Sequence, residues 1–538
     1  MFISKATYNI LNIDLIWSEI NPISVLGQKW KKEVEPFTKG MENDVHYEFS
    51  LTEQLFKILQ KSPQFYEDLS LIFSHLENIS LIIQNIETTK VLEIFELQEI
   101  KNFIFFYQRF RKIIVENNIQ DKFFFPNLTE IFNLLDPENQ NSPVFFISDL
   151  YDENFAIKRH KIFDIKIKKK HLFGKLLQEA QNELNLDLPI EKIVVSRYNS
   201  VLLEKLQDSK YYHLESENFA NLHFVITKNS EIVRIEQDIN SDFLELMKLG
   251  KKIREEITLE ILPYKKTILE IIEDISHFDW LLAKAYFGLQ NGCTIPEIIE
   301  ENRIEIKSAC NLPIYWKLKN DKIDFQKIDI SFSKKLNVIT GANMAGKTTI
   351  LKTVGQILFM AAYTIPVPAK NAMIPLIDSI YFSGIQANRM DLSSFGSEIV
   401  SLNNAIKLYG FSVFLIDEFA RGTNPQEGEA FSKAILEHLS KKNCLVLFAT
   451  HFNAPSTLKE SAHYQIVGLS QQNYKKLHID DNQILSKRLE ELHKYMDYSL
   501  IHLNSKAKVP QAALMIAEIL GIDKEIIESA KKYLMDIN

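Results

Sequence analysis

Residues 341–349 read Gly341-Ala342-Asn343-Met344-Ala345-Gly346-Lys347-Thr348-Thr349. They follow a short apolar run, Leu336-Asn337-Val338-Ile339-Thr340, that reads as a buried strand. They precede Ile350-Leu351-Lys352-Thr353-Val354, which opens a helix. A glycine-bounded loop with Lys-Thr between a strand and a helix is the setting of a phosphate-binding loop. Backbone N–H groups of the loop and of the helix N-terminus point at a bound phosphate. Gly341 and Gly346 permit a close backbone approach that a side chain would block. On this reading residues 341–349 bind the nucleotide, Lys347 reaches the β- and γ-phosphates, and the Thr348 hydroxyl ligates Mg2+.

Two later strands extend the same chemistry. Val413-Phe414-Leu415-Ile416 ends in Asp417-Glu418. Asp417 is expected to hold Mg2+, and Glu418 to polarise the attacking water as general base. Two carboxylates are needed because one charge is committed to the metal. Leu445-Val446-Leu447-Phe448-Ala449 ends in Thr450-His451. His451 at that strand end is expected to hydrogen-bond the γ-phosphate or the attacking water. Lys347, Glu418 and His451 are the catalytic candidates, and Thr348 and Asp417 the metal ligands. All lie where open α/β sheets bind ligands, at the carboxyl ends of strands.

The chain has 538 residues, which suggests about two to four domains. Its 46% hydrophobic and 25% charged content is that of a globular protein and excludes a disordered one. A formal charge of −8 argues against an all-round basic surface but leaves room for a local basic face. Cys293, Cys310 and Cys444 are far apart and lack zinc spacing, so reduced thiols are expected. The start, Met1-Phe2-Ile3-Ser4-Lys5-Ala6, lacks a leader pattern, and no 18-residue apolar run occurs. A cytoplasmic location is expected.

Residues 1–140 carry helical periodicity, for example Leu51, Leu55, Ile58 and Leu59. Val144-Phe145-Phe146-Ile147 reads as a strand or a helix start. Lys158 to Lys175 is a basic stretch. Residues 188–240 are strand-like, with Lys192-Ile193-Val194-Val195, Leu222-His223-Phe224-Val225-Ile226-Thr227 and Ile232-Val233-Arg234-Ile235 as candidate strands. Helices return over 241–289. Residues 304–340 read as short strands leading to the phosphate loop. Beyond it strands and helices alternate, which predicts a mostly parallel α/β sheet.

Several stretches together resemble the MutS family of ABC-type ATPases. Thr340 to Lys347 resembles the family's T-G-x-N-M-x-G-K loop, and Asn343-Met344 is particular to it. Val367-Pro368-Ala369 resembles its V-P-A segment, and Ser393-Ser394-Phe395-Gly396-Ser397-Glu398 its S-T-F-x-x-E signature. Asp417-Glu418-Phe419-Ala420-Arg421-Gly422-Thr423 is similar to D-E-x-x-R-G-T, and Ala449-Thr450-His451-Phe452 to A-T-H-[FY]. Ala512-Ala513 and Ala517-Glu518-Ile519-Leu520-Gly521-Ile522 resemble the small helical dimerisation element, with Gly521 as the stop between two helices.

The resemblance implies an ABC-type P-loop ATPase domain over 301–538, using ATP and Mg2+. Its helix-turn-helix dimerisation element would lie at about 508–538. It implies a helical core and lever domain over 1–300, with a clamp-like strand-rich insertion at about 188–240. It implies a dimer, homo- or heteromeric, in which Ser393 and Ser394 of one subunit approach the γ-phosphate of the other and Asn424 lies in the turn that crosses the interface. Leu392 stands where the family has a glycine. The chain is too short for the family's mismatch-reading and connector domains. Phe65-Tyr66-Glu67 and Phe243-Leu244-Glu245 repeat the mismatch-reading triplet but read as coincidences of a Phe-rich chain.

Two function classes follow. One is an ATP-driven dimeric clamp on mismatched, branched or recombining DNA, supported locally by the basic stretch. That stretch also reads as a solvated helix face. The other is an ATP-dependent reactivating factor for a B12-dependent aminomutase. Thr423-Asn424-Pro425-Gln426-Glu427-Gly428 and Val509-Pro510 resemble MutS-like subunits of such factors. DNA handling is the commoner role in the family.

Overall fold

Buried apolar strands and amphipathic helices account for both compact units of the chain, Met1–Ser74 with Ile275–Asn538, and His75–Asp274. The computed structural model describes residues 2–87, 90–119, 123–185, 187–342, 345–383, 394–420, 423–452, 458–469, 495–503 and 513–537. The division differs from the boundary at residue 300, because residues 1–74 and the end of the helical stretch pack with the phosphate-loop half.

The first unit begins with α1 (Lys5–Ile10), α2 (Ile13–Glu19), α3 (Val25–Glu33), α4 (Glu42–Lys61) and α5 (Gln64–Phe73). In α4 the stripe Val45, Phe49, Thr52, Leu55 and Leu59 is buried. Glu42 and Asp44 lie in its first turn and Lys61 in its last, as the helix dipole favours. Phe65 of the first Phe-x-Glu triplet is buried within α5.

The second unit holds α6 (Ser80–Gln84), α7 (Ile94–Glu116), α8 (Thr129–Leu135), α9 (Glu153–Leu184), β1 (Lys192–Ser196), α10 (Ser200–Asp208), β2 (Tyr212–Glu217), β3 (Asn221–Ile226) and α11 (Ser230–Ile261). The strands form an antiparallel sheet in the order β1-β3-β2. Alternate residues of β1 and β3 are buried, in one cluster with Leu176, Ala180 and Leu184 of α9 and Leu206 of α10.

One expected strand is a helix. Ile232-Val233-Arg234-Ile235 lies in the first turns of α11. Asn229 caps that helix by accepting the Ile232 N–H at 2.9 Å, and Glu231 stands in its first turn. The cap outweighs the β-branched composition. Residues 144–147 form neither strand nor helix. Side chains of α7 satisfy the backbone there instead. Gln98 accepts the Phe145 N–H at 2.6 Å and donates to the Pro143 carbonyl at 2.9 Å. Lys101 donates to the Val144 carbonyl at 2.9 Å.

The basic stretch lies on α9, and four of its lysines form a seam of ion pairs with α11. Lys158 meets Asp242 at 2.9 Å and Glu245 at 2.5 Å, and Lys161 meets Asp242 at 3.0 Å. Lys169 meets Glu236 at 2.7 Å and Lys168 meets Glu231 at 3.7 Å. Glu245 of the second Phe-x-Glu triplet is thus engaged by Lys158. Lys166, Lys170 and Lys175 are exposed.

A short 3-10 turn leads into α12 (Lys265–Gln290), which carries the chain back to the first unit. There follow β4 (Glu297–Ile299), β5 (Ile304–Ala309), α13 (Leu312–Asn320), β6 (Ile328–Phe332), β7 (Leu336–Thr340), α14 (Lys347–Ala362), β8 (Asn371–Pro375) and β9 (Ser379–Ser383). Then come α15 (Ser394–Ile406), β10 (Ser412–Asp417), α16 (Pro425–Leu439), β11 (Cys444–Ala449), β12 (Ser461–Gly468), β13 (Asp497–Leu503), α17 (Ala513–Ile519) and α18 (Lys524–Ile537). The strands expected over 304–340 are interrupted by α13, which Asn311 caps and which carries Pro313 in its first turn.

The larger sheet runs β13-β12-β7-β11-β10-β9. Its pairs are parallel except β12 with β13. β7 and β11 are buried at every residue, as expected of strands covered on both faces. A second sheet runs β4-β8-β5-β6. The N-terminal segment closes on this half of the chain. Ile3 bridges Ile380 of β9 in parallel, Phe382 N–H donates to Thr7 Oγ1 at 3.2 Å, and Gln356 of α14 donates to the Leu11 carbonyl at 2.7 Å. A Cβ on Gly355 would lie 2.8 Å from both Leu11 and Leu415, so this close packing requires glycine. Near the C-terminus Gly521, at φ +85°, separates α17 from α18, giving the helix, glycine stop and helix expected there.

Among the described residues no helix is long and apolar enough to cross a membrane. The three cysteines are buried free thiols, and burial pushes Cys310 and Cys444 up to about 11.

Candidate functional site

β7 delivers the chain to the phosphate loop from between β11 and β12, both later in sequence. Such a position in an open sheet is where ligands bind. Gly346 caps α14 in the left-handed region at φ +98°. A Cβ there would also approach the Tyr498 ring to 3.0 Å, so the turn requires glycine twice over. Gly341 and Ala345 are buried, and Ala342 and Thr349 are half-buried. Asn343 and Met344 lie outside the described residues.

Lys347 is the first residue of α14 and is only 4% exposed. Its ammonium donates to the carbonyls of Gly341 at 2.7 Å and Ala342 at 3.3 Å, and lies 3.3 Å from Glu418. Thr348 is exposed, and its hydroxyl donates to Asp417 Oδ2 at 2.6 Å. Asp417 Oδ1 is buried and has no hydrogen-bond partner among the described residues. Burial pushes the Asp417 carboxyl up, and the Glu418 charge adds to it, against the Thr348 hydrogen bond and the Lys347 and Lys352 charges.

The turn after β10 is unusual. Glu418 and Ala420 both have positive φ, +48° and +62°. Non-glycine residues in that region store strain and gather at functional sites. Glu418 N–H donates to the Ala449 carbonyl at 2.9 Å, fixing the turn to the end of β11. Glu398 of α15 joins this corner by accepting the Ala420 N–H at 3.4 Å. Burial raises its carboxyl, and the Asp417 charge raises it further. Sequence reasoning assigned Glu398 no role. Its place at the end of the Ser393 to Glu398 signature was the available signal.

Thr450 N–H donates to the Ile339 carbonyl at 3.0 Å, tying the end of β11 to β7. His451 follows, exposed, with its ring 4.3 Å from that of Phe452. The structure thus brings Lys347, Thr348, Asp417 and Glu418 together, and places His451 at the adjoining strand end. Ser393 lies outside the described residues. Ser394 opens α15, and its side chain is not described. Asn424 caps α16 by accepting the Gln426 N–H at 2.9 Å, with Pro425 behind it.

The donor set suits a hard divalent cation. Thr348 and Asp417 offer oxygen ligands, and the orphaned, buried Asp417 Oδ1 lacks the counter-charge that such an ion supplies. The nearby Glu398 and Glu418 add to the local negative charge.

The parallel sheet, the glycine-capped helix and the Thr348–Asp417 pair define this half of the chain as a P-loop domain. Residues 337–538 match the family described as MutS domain V, which is the ATPase domain of its proteins. The chain is 33% identical over 235 residues to a DNA mismatch repair protein MutS of Thermotoga maritima, covering 43% of this chain and 29% of that protein. It is 30% identical over 231 residues to an Endonuclease MutS2 of Clostridium tetani, covering 41% of this chain and 28% of that protein. With an Endonuclease MutS2 of Caldanaerobacter subterraneus it shares 26% identity over 519 residues, covering 91% of this chain and 59% of that one. Residues 337–538 thus carry a MutS domain V, and the chain as a whole is similar to MutS and MutS2 proteins. It spans less than two thirds of the length of each of these relatives.

Proposed function

We propose that the chain binds and hydrolyses ATP with Mg2+ and acts as a dimeric, ATP-driven clamp on mismatched, branched or recombining DNA. The observation that carries the ATPase reading is the Thr348–Asp417 bond at 2.6 Å, with Lys347 and Glu418 beside it. Lys347 turns from its loop carbonyls to the β- and γ-phosphates. Thr348 and Asp417 hold Mg2+, which when bound neutralises phosphate charge. Glu418 orients the attacking water and takes its proton. His451 hydrogen-bonds the γ-phosphate or the water. Ser393 and Ser394 act on the partner subunit's nucleotide, with α17 and α18 at the dimer contact.

The DNA reading rests on the relatives, which are named for mismatch repair and for endonuclease activity. Those names favour it over the aminomutase reading. Lys166, Lys170 and Lys175 of the basic stretch are exposed and are not among the lysines paired with α11 above. The test is ATP turnover with duplex, mismatched and branched DNA at low salt. Stimulation by at least one of them is expected. No binding to any of them would reject the DNA reading and leave the ATPase reading standing.

A further inference from the structure

Lys284 of α12 has no exposed surface. Its ammonium donates to Thr364 Oγ1 at 2.6 Å and faces Glu48 Oε2 of α4 at 3.5 Å. Glu48 Oε1 in turn lies 2.8 Å from His277 Nε2, also on α12. The ammonium lies 5.5 Å from the Trp280 ring centroid. Burial pulls Lys284 down to about 8, against the attraction of Glu48. The Glu48 carboxyl is held below its ordinary value, because His277 and Lys284 together outweigh its burial.

Thr364 marks the far end of the phosphate-loop helix. α14 has 16 residues and runs about 24 Å. Its first residue is Lys347, and Tyr363 ends it. Thr364 then takes a left-handed conformation at φ +55°, costly for a β-branched residue. Its hydroxyl donates to the Tyr363 carbonyl at 2.7 Å while it accepts from Lys284. A cation at a helix C-terminus is favoured by the dipole. Gly288, one turn along α12, would place a Cβ 2.9 Å from Pro366. Two points on α12 therefore grip the exit of α14. Packing alone does not call for a lysine here, because an apolar side chain fills buried volume without desolvating a charge.

We infer that Lys284 is a positioning residue that clamps the end of the phosphate-loop helix to α12 and α4, so that phosphate held at Lys347 is felt on α12. The inference rests on the nucleotide reading of the loop. Lys347 must leave the Gly341 and Ala342 carbonyls to reach a phosphate, which shifts the start of α14. A stiff helix passes that shift to Thr364, and the Lys284 bond passes it to α12. The titratable groups facing Lys284 are Glu48 from α4 and His277 from α12.

The test is hydrogen exchange of residues 277–290 in the full chain, with Mg2+ and with or without a non-hydrolysable ATP analogue. In the wild type the analogue is expected to slow exchange there by about threefold or more. Lys284→Met is expected to bind the analogue within about twofold of wild type and to show no slowing. Thr364→Val, which keeps the lysine but removes its acceptor, is expected to lose most of the slowing and serves if Lys284→Met does not fold. After correction for intrinsic exchange, the wild-type slowing is expected to fade from about pH 7 to about pH 9, as Lys284 loses its proton near 8. Unchanged slowing in either variant would overturn the inference. So would analogue binding by the wild type with no change on residues 277–290. No analogue binding at all would reject the nucleotide reading beneath it.

Discussion

The Thr348 hydroxyl donates to Asp417 Oδ2 at 2.6 Å, joining the first turn of α14 to the end of β10 across 69 residues of sequence. This bond orders two oxygen donors before a cation arrives. It also leaves Asp417 Oδ1 buried without a partner among the described residues, and Glu398 and Glu418 close by. On the proposed Mg2+ role, the corner trades stability of the metal-free protein for function.

Asp417→Asn separates these two effects. Burial and the Glu418 charge raise the Asp417 carboxyl, so the folded chain holds this proton more tightly than the unfolded chain. The group favours folding most below the ordinary carboxylate range, and that contribution is lost as pH rises through its folded value. At neutral pH the metal-free protein carries the cost. Asp417→Asn is expected to raise the metal-free melting temperature at pH 7 and to abolish the further rise given by Mg2+ with ATP. A lowered metal-free melting temperature, measured by calorimetry, would count against the unfavourable corner.

The second unit holds a buried ion pair with a structural task. Lys101 meets Asp136 at 2.9 Å with both side chains nearly inaccessible, and also bonds the Val144 carbonyl. Lys101→Met strands a buried carboxylate and is expected to cost about 3–5 kcal/mol in urea unfolding. Adding Asp136→Leu should recover much of the loss. Burial opposes the Asp136 charge, but Lys101 and the Asn141 N–H outweigh it and hold the carboxyl below its ordinary value. Its contribution is therefore present above the usual carboxylate range and is lost as pH falls through the folded value. A double variant no more stable than Lys101→Met would argue against this assignment.

The lysines of α9 make distinct predictions for DNA. Lys166→Ala with Lys170→Ala is expected to weaken binding across sequences and to lower the slope of log K against log salt by about 1–2. Lys158→Ala with Lys161→Ala breaks pairs with Asp242 and Glu245, so it should lower the stability of the second unit and leave the salt slope nearly unchanged. Equal salt slopes in all three proteins would remove α9 from the DNA-binding surface.

Signals in the sequence are legible where the physics is local. The loop at 341–349 announces itself because strand, glycine and helix must be contiguous there. Asp417 and Glu418 follow because a buried strand exposes its charge only at its end. The Ile232 to Ile235 segment misled because a capping asparagine three residues earlier decides the backbone, not the β-branched side chains. Residues 144–147 misled because their partners, Gln98 and Lys101, stand about 45 residues away and satisfy the backbone without regular structure. The docking of Ile3, Thr7 and Leu11 on β9 and α14 could not be read at all. Those contacts join residues more than 340 positions apart, and no periodicity records them.

The central claim is that Glu418, beside Lys347 at the end of β10, is the base of a Mg2+-dependent ATPase. ATP turnover by the wild type and by Glu418→Gln, measured in the same preparation with Mg2+, tests it most directly. Both are expected to bind ATP, and the variant is expected to turn over about 10²–10⁴-fold more slowly. Undiminished turnover by Glu418→Gln would contradict the account.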